Sequence, residues 1–270
     1  MRNERNGRGR GGHRRPDRAG RDKVYVYGRH ALAEALSHAP HAVRKVFLSP
    51  AVDDEQLLAL VEKRGVTVEM MKGREADRMV GDETAHQGVI AVVDPGALVT
   101  DFRTFFEGLQ AKAVSENTML VLLDELTDPH NVGAIIRSAA AFGAAGVLMP
   151  SHNQAPITGA VVKASAGMAF RVPLVQIGNV NYTVDLLKKE AFRTYGLAMD
   201  GERSVADEPF DAPALFIVGN EGAGIREKTF ERCDVGLRIP MHERTESLNA
   251  SVSAAVVLYA WSLKHPSAIQ

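Results

Sequence analysis

From Lys23 onward, short apolar runs alternate with stretches of helical spacing. Val24 to Tyr27, Lys45 to Leu48, Val66 to Met70 and Val89 to Val93 read as strands, because β-branched and aromatic residues concentrate in them. Between these, Ala31 to Ala39, Asp54 to Lys63 and Arg74 to Val80 carry the helical period. Asp94-Pro95-Gly96 breaks the pattern, and Thr100 to Lys112 follows as a helix with Thr100 or Asp101 near its start. A second alternation then places strands at Met119 to Asp124, Gly146 to Met149, Arg193 to Met199, Leu215 to Gly219 and Val235 to Pro240. It closes on a helix from Ala250 to Lys264. Such alternation predicts an α/β protein with a mostly parallel sheet covered by helices. A length of 270 residues accommodates two modest domains. The expected division is an arm over 1–22, a first domain over 23–95, a linker over 96–117 and a second domain over 118–270.

Composition changes this picture at the amino terminus alone. Residues 1–22 hold eight Arg against Glu4, Asp17 and Asp22, with five Gly and no branched aliphatic residue, so their net charge is +5. Such a segment buries too little surface to offset its ordering entropy and reads as a disordered basic arm, able to neutralise phosphates without reading sequence. The rest of the chain then carries −6. No apolar run approaches the roughly 18 residues of a membrane span. A single cysteine, Cys233, excludes an internal disulfide and any zinc site built on two thiolates, and the amino terminus lacks the apolar core of a signal peptide. A cytoplasmic protein is expected.

Ligands of parallel α/β sheets sit beyond the carboxyl ends of the strands, so residues directly after strands carry the most information. Three segments qualify. In the first, Leu122 to Ala139, Asn131 is a candidate N-cap, Ile135, Ala139 and Phe142 form a core stripe, and Gly143 is placed for a left-handed C-terminal residue. Arg137 stands about 200° from Ile135 around the helix and so projects away from the core. Its small neighbours Gly133, Ala134, Ala140 and Ala141 would leave room for a ligand. In the second, the strand Leu215 to Gly219 runs into Asn220-Glu221-Gly222-Ala223-Gly224, where glycines let backbone groups approach a ligand. The spacing is not that of a dinucleotide fingerprint. In the third, a polar loop holding Ser247, Leu248 and Asn249 precedes a helix apolar on nearly its whole circumference. Ser247 and Asn249 are both capping candidates, and that helix requires burial on every side.

Taken in order, N-x-G-A-I-x-R-S-A, G-N-E-G-x-G and S-L-N-x-S resemble the SpoU/TrmH family of RNA ribose 2′-O-methyltransferases, of the knotted SPOUT class. Tyr27-Gly28-Arg29-His30-Ala31 and His86-Gln87-Gly88-Val89 look like the small ribosomal-protein-like domain that precedes the catalytic domain in ribosomal RNA members. The resemblance spans residues 23 to 264 and implies a carboxyl-terminal trefoil knot and a homodimer through it. It also implies S-adenosylmethionine as methyl donor, held by main-chain groups at Gly219, Ile239 and Leu248. By the same carry-over, Asn131, Arg137, Glu221, Ser247 and Asn249 build the catalytic centre; Glu221 and Asn131 are expected to arrange it, Glu221 by fixing Arg137. No metal is implied, and His30, His86, His130 and His242 read as loop hydrogen-bonders. The expected partner is RNA, in particular a guanosine of 23S rRNA in the peptidyl-transferase region, contacted by Lys163, Arg171, Arg226, Arg244 and the arm. A tRNA ribose methyltransferase, an inactive RNA-binding relic of the same fold and an NAD-linked doubly wound enzyme are the competing readings. The last requires a glycine fingerprint that Asp124 to Gly133 does not supply.

Overall fold

The computed structural model describes residues 23–71, 75–81, 85–244 and 247–269; the expected arm lies outside the described residues. The first unit runs β1 (Val24–Tyr27), α1 (Arg29–His38), β2 (Val43–Leu48), α2 (Glu55–Arg64), β3 (Val68–Met70), α3 (Glu75–Val80) and β4 (Val89–Val93). Its sheet has the order β1-β4-β2-β3, with β4 antiparallel to both neighbours and only β2 and β3 parallel. All five residues of β4 are buried, as suits a central strand made wholly of apolar residues. Asp54 caps α2 by accepting from the Leu57 amide at 3.0 Å, and Gly65 ends it at φ 61°.

The second unit runs β5 (Val99–Asp101), α4 (Phe102–Gln110), β6 (Met119–Asp124), α5 (Pro129–Ala141), β7 (Gly146–Pro150), α6 (Gly159–Ala164), β8 (Leu174–Ile177), α7 (Val180–Lys189), β9 (Arg193–Leu197), β10 (Arg203–Ser204), β11 (Ala214–Gly219), α8 (Glu227–Phe230), β12 (Val235–Arg238) and α9 (Ala250–Lys264). Its eight strands lie in the order β10-β12-β9-β11-β6-β7-β8-β5, and every pairing is parallel. The stretch read as a linker supplies the edge strand β5 and lays α4 on the sheet, with Asp101 capping α4 through the Thr104 amide. Three strands escaped the periodicity: β5 and β10 are two or three residues long, and β8 carries Gln176 in a run of only four.

Burial on both faces explains the unbroken apolar run of β6. Met119, Val121 and Leu123 face the core shared with α5, α6, α9 and the first unit, whereas Leu120 and Leu122 face the core beneath α4 and α7. The helix α9 does not meet the expected all-round burial in the single chain. Ala250, Ala254, Val257, Leu258 and Trp261 are buried, while Val252, Val256, Tyr259 and Leu263 are exposed.

A side-chain clamp joins the two units. The Glu34 carboxylate on α1 is buried and accepts two bonds from Arg171, at 2.5 Å from Nε and 2.8 Å from Nη2. Hydrogen bonding to Arg171 holds the Glu34 carboxyl below the ordinary glutamate range, and Arg171 is raised in return. The stabilisation is therefore complete above the unfolded glutamate pKa of about 4.3 and is lost as pH falls through the lower folded value. Glu34→Gln is expected to lower stability at pH 7 by about 1 kcal/mol, since Arg171 is half-exposed, and the gap in melting temperature should close below pH ~4. A gap that persists undiminished in acid would refute the clamp.

Candidate active site

The first two motif loops leave the sheet side by side, because Asp124 and Gly219, the last residues of β6 and β11, are register partners. Asp124 is fully buried and would be an isolated charge without Arg226, which follows the second loop. Arg226 donates to Asp124 Oδ1 from Nε at 2.9 Å and from Nη2 at 2.6 Å, while its backbone amide reaches Oδ2 at 3.1 Å. Its remaining Nη1 donates to Glu125 at 2.9 Å. Asn220 closes the loop from inside: its Oδ1 accepts from the Gly222 and Ala223 amides, and its Nδ2 donates to the Glu125 carbonyl at 3.0 Å. Asn220 and Gly224 also exchange both backbone bonds at 2.9 Å, with Gly224 at φ 70°.

Arg226 and Arg171, both expected RNA contacts, are each held by a carboxylate, Asp124 and Glu34, while about half of either side chain stays exposed. Lys163 and Arg244 remain exposed. Arg226→Ala would leave the Asp124 carboxylate buried and unpaired. It is expected to cost about 2–3 kcal/mol in denaturant unfolding, less than for a fully buried pair because the guanidinium is half-exposed. Arg226→Lys should recover only part of that loss, lacking the planar fork. An alanine variant as stable as the wild type would contradict this account.

Asn131 does not cap its helix. Asp128 does so, accepting from the His130 amide at 2.9 Å, and Pro129 takes the first helical position, where its missing N–H costs nothing. Asn131 instead lies buried in the first turn and donates from Nδ2 to Glu221 Oε1 at 2.5 Å, tying the first motif to the second. Glu221 is thus fixed to Asn131 and not, as expected, to Arg137. The Arg137 guanidinium is exposed, with no partner among the described residues, on the side of α5 opposite the buried Ile135 and Ala139. Gly143 takes φ 76° just beyond this helix. Gly133 serves helix packing and not ligand room: a Cβ there would meet Ala164 of α6 at 2.5 Å and the Val161 carbonyl at 2.7 Å.

In the third motif Asn249 is the N-cap of α9, its Oδ1 accepting from the Ser251 amide at 2.9 Å and the Ser251 hydroxyl at 2.6 Å. Ser247 is exposed and free of that task. Around these loops lies a cavity of about 870 Å³, lined by Gly219, Ile239 and Leu248 together with Glu221 and Ser247. Arg137, Asn131 and Asn249 stand outside its wall. The turn after β9, with Ala198, Met199 and Asp200, also lines it; β9 ends at Leu197, so Ala198 and Met199 belong to this turn and not to the strand expected over Arg193 to Met199. Among the described residues no group of three metal-ligating side chains occurs, and the ring nitrogens of His86 and His242 bond loop amides.

Residues 118–259 match the SpoU rRNA Methylase family, and residues 25–98 match the family described as RNA 2′-O ribose methyltransferase substrate binding. The chain belongs to the SpoU rRNA methylase family. Its similarity to the 23S rRNA (guanosine-2′-O-)-methyltransferase RlmB of Pseudomonas putida is 35% identity over 237 residues, covering 87% of this chain and 94% of the relative. The RlmB of Escherichia coli K12 is 32% identical over 239 residues, covering 87% and 96%. Among solved structures, the SpoU methyltransferase AviRb from Streptomyces viridochromogenes in complex with the cofactor AdoMet superposes with a TM-score of 0.74 at 27% identity, over 91% of each chain. The cavity of this SpoU-family chain suits such a cofactor, since its volume lies in the usual range for small-molecule sites and Gly219 leaves backbone, not side chain, along one wall.

Proposed function

We propose that this protein transfers a methyl group from S-adenosylmethionine to the ribose 2′-hydroxyl of a guanosine in 23S rRNA. The observation that carries the reading is that the three candidate cofactor residues, Gly219, Ile239 and Leu248, meet Glu221 and Ser247 in one cavity. When bound there, S-adenosylmethionine supplies a methyl group already activated by its sulfonium. The residues of the chain therefore have to position the alcohol and help it lose its proton. Arg137 is assigned to an RNA phosphate and to orienting the 2′-hydroxyl, because a guanidinium holds its proton and is a poor base. Ser247, which lines the cavity, is assigned a part in the proton transfer, and the Asn131–Glu221 hydrogen bond ties the first motif to the second. A ribosomal RNA substrate puts the reaction in the cytoplasm, and no helix among the described residues is long and apolar enough to cross a membrane.

The test is transfer of labelled methyl groups to unmodified 23S rRNA and, separately, to unmodified tRNA, followed by alkaline hydrolysis, which cannot cut after a methylated 2′-oxygen. Label in an alkali-resistant dinucleotide from 23S rRNA alone is expected. Label from tRNA alone would overturn the substrate, and none from either, with cofactor binding demonstrated, would overturn the activity.

The same reading includes a homodimer through the expected knot. Val252, Val256, Tyr259 and Leu263 form an exposed apolar row on α9, and a second copy would give this helix its missing buried face. Light scattering should show twice the 29.2 kDa chain mass; a monomer would refute it.

A further inference from the structure

A second cavity, of about 550 Å³, opens where the two units meet, between β1 and α3 of the first and α5 and α6 of the second. Tyr25 and Tyr27 point the same way from β1 and lie half-buried, packed on a small cluster formed by Phe47, Ile90 and Val92. Opposite them, α6 presents Gly159, Ala160 and Ala164, and Gly159 is so close that a Cβ would lie 2.7 Å from the Tyr25 carbonyl. One helical turn on from Gly159, the exposed Lys163 holds its ammonium 5.3 Å from the centre of the Tyr27 ring. Met79, Val80 and His130 complete the wall, and among the described residues that line it there is no Asp or Glu. In a folded body of net charge −6, two aromatic rings with one cation, and no anion among the described lining residues, favour a ligand that is both flat and negatively charged.

The position of His130 says where such a ligand would stand. It precedes Asn131, whose amide bonds Glu221, and Glu221 lines the larger cavity. One peptide bond and one hydrogen bond thus connect a residue lining the second cavity to a residue lining the first. We propose that the cleft between the units is a nucleotide-binding subsite, holding one unstacked RNA nucleotide beside the one to be methylated, with its base against the Tyr25 and Tyr27 rings and its phosphate on Lys163. Unstacked bases are commonly read by aromatic side chains, and a point charge such as an ammonium suits a mobile phosphate. The assignment rests on the RNA-methylating function proposed above.

Tyr27→Leu, Tyr27→Phe and Lys163→Ala, each in the full chain, should be compared with the wild type. The measurements are binding of unmodified 23S rRNA over a range of salt, KM and kcat for its methylation, S-adenosylmethionine affinity and melting temperature. Tyr27→Leu is expected to weaken RNA binding about 5- to 100-fold, the range seen when a stacking ring is removed. The effect should fall on KM with cofactor affinity unchanged, and Tyr27→Phe should recover most of the loss. Lys163→Ala is expected to reduce the salt slope by about one. If Tyr27→Leu melts early, the exposed Lys163 carries the test alone. A wild type that methylates 23S rRNA while Lys163→Ala keeps both affinity and salt slope would overturn the subsite and leave the function standing. A wild type that neither binds nor methylates 23S rRNA would overturn both.

Discussion

Arg137→Ala is expected to lower the turnover of methyl transfer at saturating RNA by about 10²- to 10³-fold, the usual loss when a preorganised charge at a reacting centre is removed. The guanidinium is exposed and unpartnered among the described residues, while Val132, Ile135, Ile136 and Ala139 hold the opposite side of α5 in the core. Removing it should therefore leave the fold intact, with a melting temperature close to that of the wild type. S-adenosylmethionine binding should also stay within about twofold, since Arg137 does not line the larger cavity. The loss belongs in turnover because orientation of the 2′-hydroxyl matters only in the reacting complex. Arg137→Lys should recover a minor part, as a single ammonium cannot grip phosphate and hydroxyl in one plane. A normal rate for the alanine variant would remove Arg137 from the mechanism.

Gly219→Ala should abolish cofactor binding, by more than about 100-fold in calorimetric titration, a loss of nearly 3 kcal/mol. A Cβ at this position would fall on the backbone of Gly224 and Ile225, which cannot rotate aside as a side chain can. The loop has little freedom to yield, being closed by the paired backbone bonds of Asn220 and Gly224 and anchored through Arg226 to Asp124. Forcing it open would displace one wall of the larger cavity and lower stability by about 1–3 kcal/mol, the range for overpacked sites. Gly222 provides the contrast within the same loop. A Cβ there meets only Asn220 Oδ1, at 3.6 Å, an ordinary contact. Gly222→Ala should keep both the fold and cofactor affinity, so equal damage at the two positions would refute this account, as would unchanged affinity in Gly219→Ala.

Much of the architecture was legible in the order of residues. The bounds of β1, β4, β6 and α9 agree with the periodicity, and Asp101 and Gly143 sit at the helix ends assigned to them. These features depend on neighbours within a few positions, where side-chain period, capping chemistry and the steric freedom of glycine act directly. The exposed side of Arg137 followed from the same geometry. Tertiary structure decided which polar groups meet: Asn131 with Glu221 across 90 positions, Asp124 with Arg226 across 102, and Glu34 with Arg171 across 137. It also turned Gly133 from an apparent ligand surface into a helix contact, and gave Asn131 a partner in place of a cap. A buried polar group takes whichever partner relieves its desolvation, and that partner is set by which strand ends the sheet brings side by side, which no window of sequence contains.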